Sequence, residues 1–129
     1  MEKNLMQTET FNEIISGNIQ KSIPEILKEM PNEKLIQFFF EIKKHPEEMQ
    51  KAVLLDILKH AEKSEFGRKF GFEDIKSVAA FKQTVPISNY DDYQLYIEKL
   101  KAGESDLLYA GKTASFIATS GSTGVPKLI

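Results

Sequence analysis

Ala114-Ser115-Phe116-Ile117-Ala118 runs without interruption into Thr119-Ser120-Gly121-Ser122-Thr123-Gly124-Val125-Pro126-Lys127, and the reading of the whole chain turns on this stretch. Its first five residues are short, apolar and bounded by turn residues, which predicts a buried strand. The nine that follow hold two glycines, four hydroxyls (Thr119, Ser120, Ser122 and Thr123) and a single charge, Lys127. Gly121 and Gly124 can take positive φ and let the backbone approach a ligand, which aims successive N–H groups into a concave anion nest. The hydroxyls can donate to phosphate oxygens, and the Lys127 ammonium adds a full positive charge where the segment is otherwise neutral. Pro126 stiffens the exit. The pattern predicts a phosphate-binding loop; the plain alternative is a Gly/Ser-rich turn between strands. A Walker A loop is excluded, because Gly-Lys-Ser/Thr would have to stand where Pro126-Lys127-Leu128 does.

Upstream the texture is helical and dense in charge. Ile15, Ile19, Ile23, Ile26, Leu27 and Met30 recur at spacings of three and four, one face of a helix, with Pro24 as a break or restart. Asn32 is placed to cap a second helix in which Leu35, Phe38, Phe39 and Ile42 share a face. His45-Pro46-Glu47-Glu48 reads as a helix start, with proline in the first turn and acids at the positive end of the dipole. Met49, Val53, Leu54, Ile57, Leu58 and Ala61 then give the clearest amphipathic stripe, which Gly67 is expected to end. Ser77 reads as the cap of a short helix. Ser88 with Asp91 reads as the capping box of a last helix, lined by Tyr90, Tyr93, Leu95, Tyr96, Ile97 and Leu100 and closed by Gly103. The expected class is α/β: a helical layer, with residues 1–53 as its lead-in and 54–129 ending in the loop, that runs into the first strand of a sheet. A lone strand satisfies neither its hydrogen bonds nor its faces, so the chain is expected to be truncated, with the remainder of the same chain as its first partner.

Bulk properties narrow the function classes. A chain of 129 residues supports one domain. A net charge of −2 gives no long-range pull towards nucleic acid or anionic lipid, so neither is expected as a partner. There is no cysteine, which excludes disulfides and thiolate zinc sites and fits a reducing compartment. Met1-Glu2-Lys3-Asn4 lacks the order of a secretory signal, and the apolar stretch around Phe38-Phe39-Phe40 is far too short to span a bilayer. A cytoplasmic protein is the expectation.

The run 119–127 resembles, at all nine positions, the signature of the adenylate-forming superfamily: a Ser/Thr/Gly pair, Gly, two hydroxyl residues, Gly, any residue, Pro, Lys. That superfamily includes acyl-CoA ligases, luciferases and the adenylation domains of peptide synthetases. The resemblance implies that Thr119, Ser120, Gly121, Ser122, Thr123 and Gly124 contact the β- and γ-phosphates of ATP, with Lys127 supplying charge at the end of the loop. Further upstream, residues 58–72, 81–87, Tyr90-Asp91-Asp92 and Tyr96-Ile97-Glu98 resemble the N-terminal region of the auxin-responsive acyl-acid amido synthetase family. This second resemblance covers residues 54–129, with Gly103-Glu104 where that family often has it. It implies a ligase that adenylates a carboxylic acid with ATP and magnesium, then passes the acyl group to an amino acid. One spacing departs from the family, which usually has one more residue between the positions of Gly121 and Lys127 and often lacks Pro126. The spacing here is that of acyl-CoA ligases such as the phenylacetate type, so CoA stands beside an amino acid as acceptor. Groups for adenine, acyl chain and magnesium would lie beyond Ile129. The chain alone is therefore expected to be inactive, with no catalytic residue assignable within it.

The remaining candidates read as structural. His45 and His60 sit at the ends of a helix and lack a nucleophile or a second metal ligand, and no metal site is expected. Asp91 and Asp92 diverge by about 100° on a helix and suit a first turn better than a paired-carboxylate site. Arg68 among glycines and phenylalanines reads as a salt-bridge partner of the main body, with the lining of an acyl pocket as the alternative. Two rival readings of the whole chain remain at this level: a non-catalytic helical interaction module, and a gene remnant without activity.

Overall fold

The computed structural model describes residues 2–121 and 124–129, with side chains from Glu9 onward. Among these residues the chain forms α1 (Glu2–Ser16), α2 (Ile23–Glu29), α3 (Asn32–Ile42), α4 (Pro46–Ala61), α5 (Glu65–Lys69), α6 (Val78–Thr84) and α7 (Gln94–Lys101). Short 3-10 turns at Phe72–Asp74 and Tyr90–Tyr93 precede α6 and α7.

Local chemistry sets most of the boundaries. Gly17, at φ +76°, ends α1, and Pro24 stands in the first turn of α2, so the apolar run breaks before the proline and restarts around it. At that restart the Ser22 hydroxyl and N–H both donate to the Glu25 carboxylate, at 2.7 and 2.9 Å. These two bonds, the hydroxyl's first, hold the Glu25 carboxyl below its ordinary pKa. Pro46 opens α4 as its spacing predicts, and His45 before it packs its ring 5.4 Å from that of Phe11. Ser77 caps α6, its Oγ accepting from the Ala80 N–H at 3.1 Å.

Helix α4 is the axis of the core. Its Met49 and Ala52 join Phe11, Ile14, Ile23 and Phe38 in one cluster, while its Leu58 and Ala61 join Phe72 and Ile75 in a second. Each large apolar side chain buried this way contributes about 1.5–3 kcal/mol. Val53 and Ile57, expected in the same stripe, are 37% and 57% exposed, and Asp56 is buried instead. Asp56 is satisfied from outside its own helix: its Oδ2 accepts the Ile23 N–H at 3.0 Å, fastening the start of α2 to the middle of α4.

The reading of Gly67 is corrected. Helix α4 stops at Ala61, and the buried Ser64 starts α5, its Oγ accepting from the Gly67 N–H at 2.9 Å and donating to the Ala61 carbonyl at 2.7 Å. Gly67 lies inside α5, where a Cβ would stand 2.0 Å from the Ala61 oxygen. Close approach, rather than helix termination, is what requires glycine there.

A strap from 105 to 111 closes over this corner. The first N–H groups of α5, on Glu65 and Phe66, donate to the carbonyls of Asp106 and Leu107, both at 2.8 Å. Asp106 takes φ +59°, a conformation that aspartate tolerates, and its Oδ1 accepts the Gly111 N–H at 2.8 Å.

The expected α/β class holds only for its helical layer. Residues 114–118 are not a buried strand: among the described residues no strand forms, and the segment makes one isolated antiparallel bridge, Ala118 to Leu128. Ile117 and Ile129, directly opposite each other, are 72% and 78% exposed, so that face of the pair is uncovered, while Phe116 and Leu128 are half-buried. Among the described residues no helix is long and apolar enough to cross a membrane.

Candidate functional site

The loop predicted from sequence sits at the end of this narrow hairpin. Ile117 and Ile129 exchange both backbone hydrogen bonds at 2.9 Å, and the Thr119 N–H donates to the Lys127 carbonyl at 2.8 Å. Thr119 adds a side-chain tie, its Oγ1 accepting the Lys127 N–H at 2.9 Å. Thr119 is thereby fixed at the base of the loop, half-buried, while Ser120, Gly124 and Lys127 are exposed. Its hydroxyl proton stays available to a ligand, because the tie uses the oxygen as acceptor.

Gly121 makes the turn. It takes φ +63°, and a Cβ there would lie 2.8 Å from Pro126 Cγ and 2.9 Å from the Gly124 carbonyl. The Gly124 N–H closes the turn on the Gly121 carbonyl at 3.1 Å. Pro126 therefore fills the space that any side chain at 121 would need, which couples the two positions. Ser122 and Thr123 lie outside the described residues.

One residue of the helical body holds this hairpin, and the sequence reading missed its role. The Tyr90 hydroxyl accepts the Leu128 N–H at 2.9 Å, and the Lys127 ammonium stands 5.1 Å from the centroid of the Tyr90 ring. A cation over a ring at such a distance is attracted by about 0.5–1 kcal/mol at an exposed site. No signal in the sequence pairs Tyr90 with a segment 38 residues later; it was read only as part of a helix-lining set. Beside this contact opens a cleft of about 430 Å³, lined by Asp91, Gln94, Glu98, Lys101 and Lys127 as well as Tyr90. Both signs of charge face it. Lys101 and Glu98 pair with each other at 3.1 Å.

The other candidates keep structural roles. Asp92 accepts the Asn89 N–H at 2.8 Å, and Asn89 Oδ1 accepts the Asp91 N–H at 2.8 Å, so the capping box lies one residue later than Ser88 and Asp91 would place it. His60 Nδ1 lies 2.8 Å from the Asp56 backbone carbonyl, and Arg68 donates to the Lys63 carbonyl. Among the described residues no group of three or more His, Asp or Glu side chains could hold a metal ion. These side chains do not by themselves form a cage for the magnesium that the resemblance implies.

Comparison with known proteins gives a consistent result. The family described as the GH3 family N-terminal domain matches residues 35–129. The chain is 34% identical over 105 residues to the indole-3-acetic acid-amido synthetase GH3.8 of Oryza sativa subsp. indica, covering 80% of this chain and 17% of that protein. It is 29% identical over 98 residues to the indole-3-acetic acid-amido synthetase GH3.2 of Arabidopsis thaliana, covering 74% of this chain and 18% of that protein. A third relative, the jasmonoyl–L-amino acid synthetase JAR6 of Nicotiana attenuata, is 28% identical over 109 residues, covering 83% and 19% of the two chains. The chain thus spans less than a fifth of the length of these relatives. No solved structure matches it.

Proposed function

The chain belongs to the GH3 family, and from that premise we propose that it supplies the ATP-phosphate loop of an acyl-acid amido synthetase. Residues 1–129 form the N-terminal part of an adenylation domain of α/β class, with 1–53 as helical lead-in and 54–129 ending in the loop. Residues 114–118 become a strand where further chain pairs with them. ATP, with magnesium, supplies the activated phosphorus that a carboxylate attacks. Thr119, Ser120, Gly121, Ser122, Thr123, Gly124 and Lys127 contact its β- and γ-phosphates. An amino acid is the acceptor, since the relatives reported above are named as amide-forming enzymes. The 129-residue chain on its own does not complete the reaction.

The observation that supports this reading is the turn at Gly121, with positive φ, a proline where a Cβ would go, and Thr119 and Lys127 tied to each other at its base. Donors fixed before the ligand arrives need no reorganisation when negative charge develops on the leaving pyrophosphate, which is how such a loop lowers a barrier. The Thr119 tie holds the two arms of the hairpin together and so fixes the backbone of Lys127 beside the start of the loop.

The test is ATP–pyrophosphate exchange by the native gene product, offered a panel of carboxylic acids that includes indole-3-acetic acid. Exchange that depends on one acid, and that falls at least tenfold in Gly121→Ala and Lys127→Ala, supports the proposal. Exchange with none of them, from a folded product, overturns it in favour of a helical interaction module.

A further inference from the structure

The contact between Tyr90 and the loop is more specific than the fold requires. Tyr90 opens the 3-10 turn before α7, a turn already capped by Asn89 and Asp92, and its ring is not among the core residues. Its hydroxyl takes a single backbone N–H, that of Leu128, the residue immediately after the loop's only charge. Its ring face carries that charge, the Lys127 ammonium, at 5.1 Å. Asp91 and Glu98 face the same cleft, yet the ammonium makes no ion pair with either: the salt bridges among the described residues do not include Lys127.

We propose that Tyr90 is a positioning residue for Lys127: its ring holds the lysine side chain beside the loop and keeps that contact while the outward N–H groups of the ammonium take a phosphate, and its hydroxyl adds a tie to the backbone at Leu128. This rests on the reading of the loop as a phosphate site and adds a residue to it from outside the motif. The chemistry allows both contacts at once. A ring face attracts the cation without using an acceptor lone pair, so the N–H groups turned away from the ring stay free for charge-assisted hydrogen bonds to phosphate oxygens. A carboxylate in the same position would compete with the phosphate for the ammonium. Keeping Lys127 over Tyr90, and away from Asp91 and Glu98, leaves it placed before the ligand arrives, with its remaining N–H groups unpaired by a carboxylate.

The prediction is a coupling between two side chains, measured on the native gene product with ATP as the probe. Lys127→Met should weaken ATP binding about tenfold, as expected for loss of a hydrogen bond to a charged group. Tyr90→Leu should weaken it about fivefold when Lys127 is present and less than twofold in the Lys127→Met background, because Tyr90 acts through the lysine. Tyr90→Phe keeps the ring and should retain most of the affinity. NMR of the Lys127 ε-methylene gives an independent reading. Its protons, lying over an aromatic face, should be shifted upfield in the wild type and in Tyr90→Phe, and not in Tyr90→Leu.

Equal losses from Tyr90→Leu in both lysine backgrounds would make Tyr90 a support of the fold and overturn the proposal. An unshifted Lys127 ε-methylene in the wild type would overturn it as well. Failure of the phosphate reading shows itself differently. Lys127→Met then leaves ATP affinity unchanged, and the role of Tyr90 falls with the site even where the ring-current shift persists. Circular dichroism of each variant separates any of these results from unfolding.

Discussion

Gly67 and Gly121 are the same residue used for opposite purposes, and they divide the molecule into two regions. Gly67 lies in the helical body, buried inside α5, where its missing side chain lets the chain pass against the Ala61 carbonyl. Gly121 lies in the terminal hairpin, at φ +63°, where its missing side chain lets the backbone turn over Pro126. The body satisfies its own polar groups, although Ile36, Phe39, Phe40, Ile57, Ile87 and Leu95 stay more than half exposed on it. Its polar ends are capped by Ser64, Ser77 and Asn89, the buried Asp56 carboxylate is satisfied by Ile23, and two apolar clusters share α4. The hairpin is open, with Ile117, Val125 and Ile129 between 72% and 88% exposed and one bridge to hold it. Stability therefore resides in the body, and the hairpin is free to spend its geometry on a ligand.

The sharpest way to break this contrast is to place the same methyl group in each region. Gly67→Ala puts a carbon 2.0 Å from a backbone oxygen that belongs to the end of α4, so α4 and α5 must separate. A clash with backbone cannot be relieved by a rotamer change, and the cost should be about 3 kcal/mol or more. In a domain of this size that lowers the thermal midpoint by more than about 10 °C, read by circular dichroism. A midpoint within a few degrees of the wild type would mean that the corner between α4 and α5 is not a tight part of the body.

Ser64→Ala tests the same corner more gently. The buried hydroxyl accepts the Gly67 N–H and donates to the Ala61 carbonyl, so its removal leaves a buried donor without its partner. A loss of about 1–2 kcal/mol in urea unfolding is expected, with an unchanged m-value. A value near zero would show that water or a neighbouring group takes over both bonds.

The parts of this molecule that were legible in the sequence are those whose chemistry is local. Proline at Pro46, a hydroxyl at Ser77 and a glycine at Gly103 each set a boundary from within one turn of chain, and the structure places helix ends at all three. Where two local signals overlapped, the reading slipped by one. Ser88 pairs with the Tyr93 hydroxyl at 2.5 Å, which leaves Asn89 as the cap. What the sequence did not reveal are roles defined by a distant partner: Asp56 through Ile23, Gly67 through the end of α4, and Tyr90 through Leu128. Periodicity assigns each of these to a face of a helix and nothing more. Residues 114–118 show the same dependence: an apolar run predicts a strand, but a strand is a property of a pair, and among the described residues only 127–129 lie opposite. The Gly-rich run reads as a motif because a phosphate nest needs its glycines and hydroxyls in order along the chain, and its role as a phosphate site is the proposal that rests on that order. Of its seven proposed contacts, the structure describes the surroundings of Thr119, Ser120, Gly121, Gly124 and Lys127.

Gly121→Ala is the matching change in the hairpin. Positive φ costs a non-glycine residue about 1–2 kcal/mol, and the new carbon meets Pro126 at 2.8 Å, so the local geometry must give way. Because the hairpin is tied within itself by the Ile117–Ile129 and Thr119–Lys127 hydrogen bonds and held to the body through Tyr90, the turn can open without disturbing the helices. The thermal midpoint should move by less than about 3 °C while the Leu128 amide loses its protection from hydrogen exchange. A fall as large as that of Gly67→Ala would erase the division into a stable body and an open hairpin.

The smallest effect is expected where the body meets the segment leading to the hairpin, at the strap 105–111. The Ser105 hydroxyl, and then the Gly111 N–H, donate to the Asp106 carboxylate and hold its pKa below the ordinary aspartate value, with a further contribution from Arg68. A folded pKa below the unfolded one means that the carboxylate supports the strap above the unfolded value, and that this support is lost as pH falls through the folded value. The loss belongs to the acid side of the aspartate range, with no change expected between pH 6 and 8. Asp106 is fully exposed, so the effect is local rather than global. It should be read at the Glu65 and Phe66 amides, which donate to the strap's carbonyls, as faster hydrogen exchange in acid than their intrinsic rates predict. Asp106→Asn keeps a side chain that tolerates positive φ and an oxygen for the Gly111 N–H, but does not titrate. In that variant the acid-dependent excess at Glu65 and Phe66 should vanish, and its persistence would mean that another carboxylate governs how the strap closes over α5.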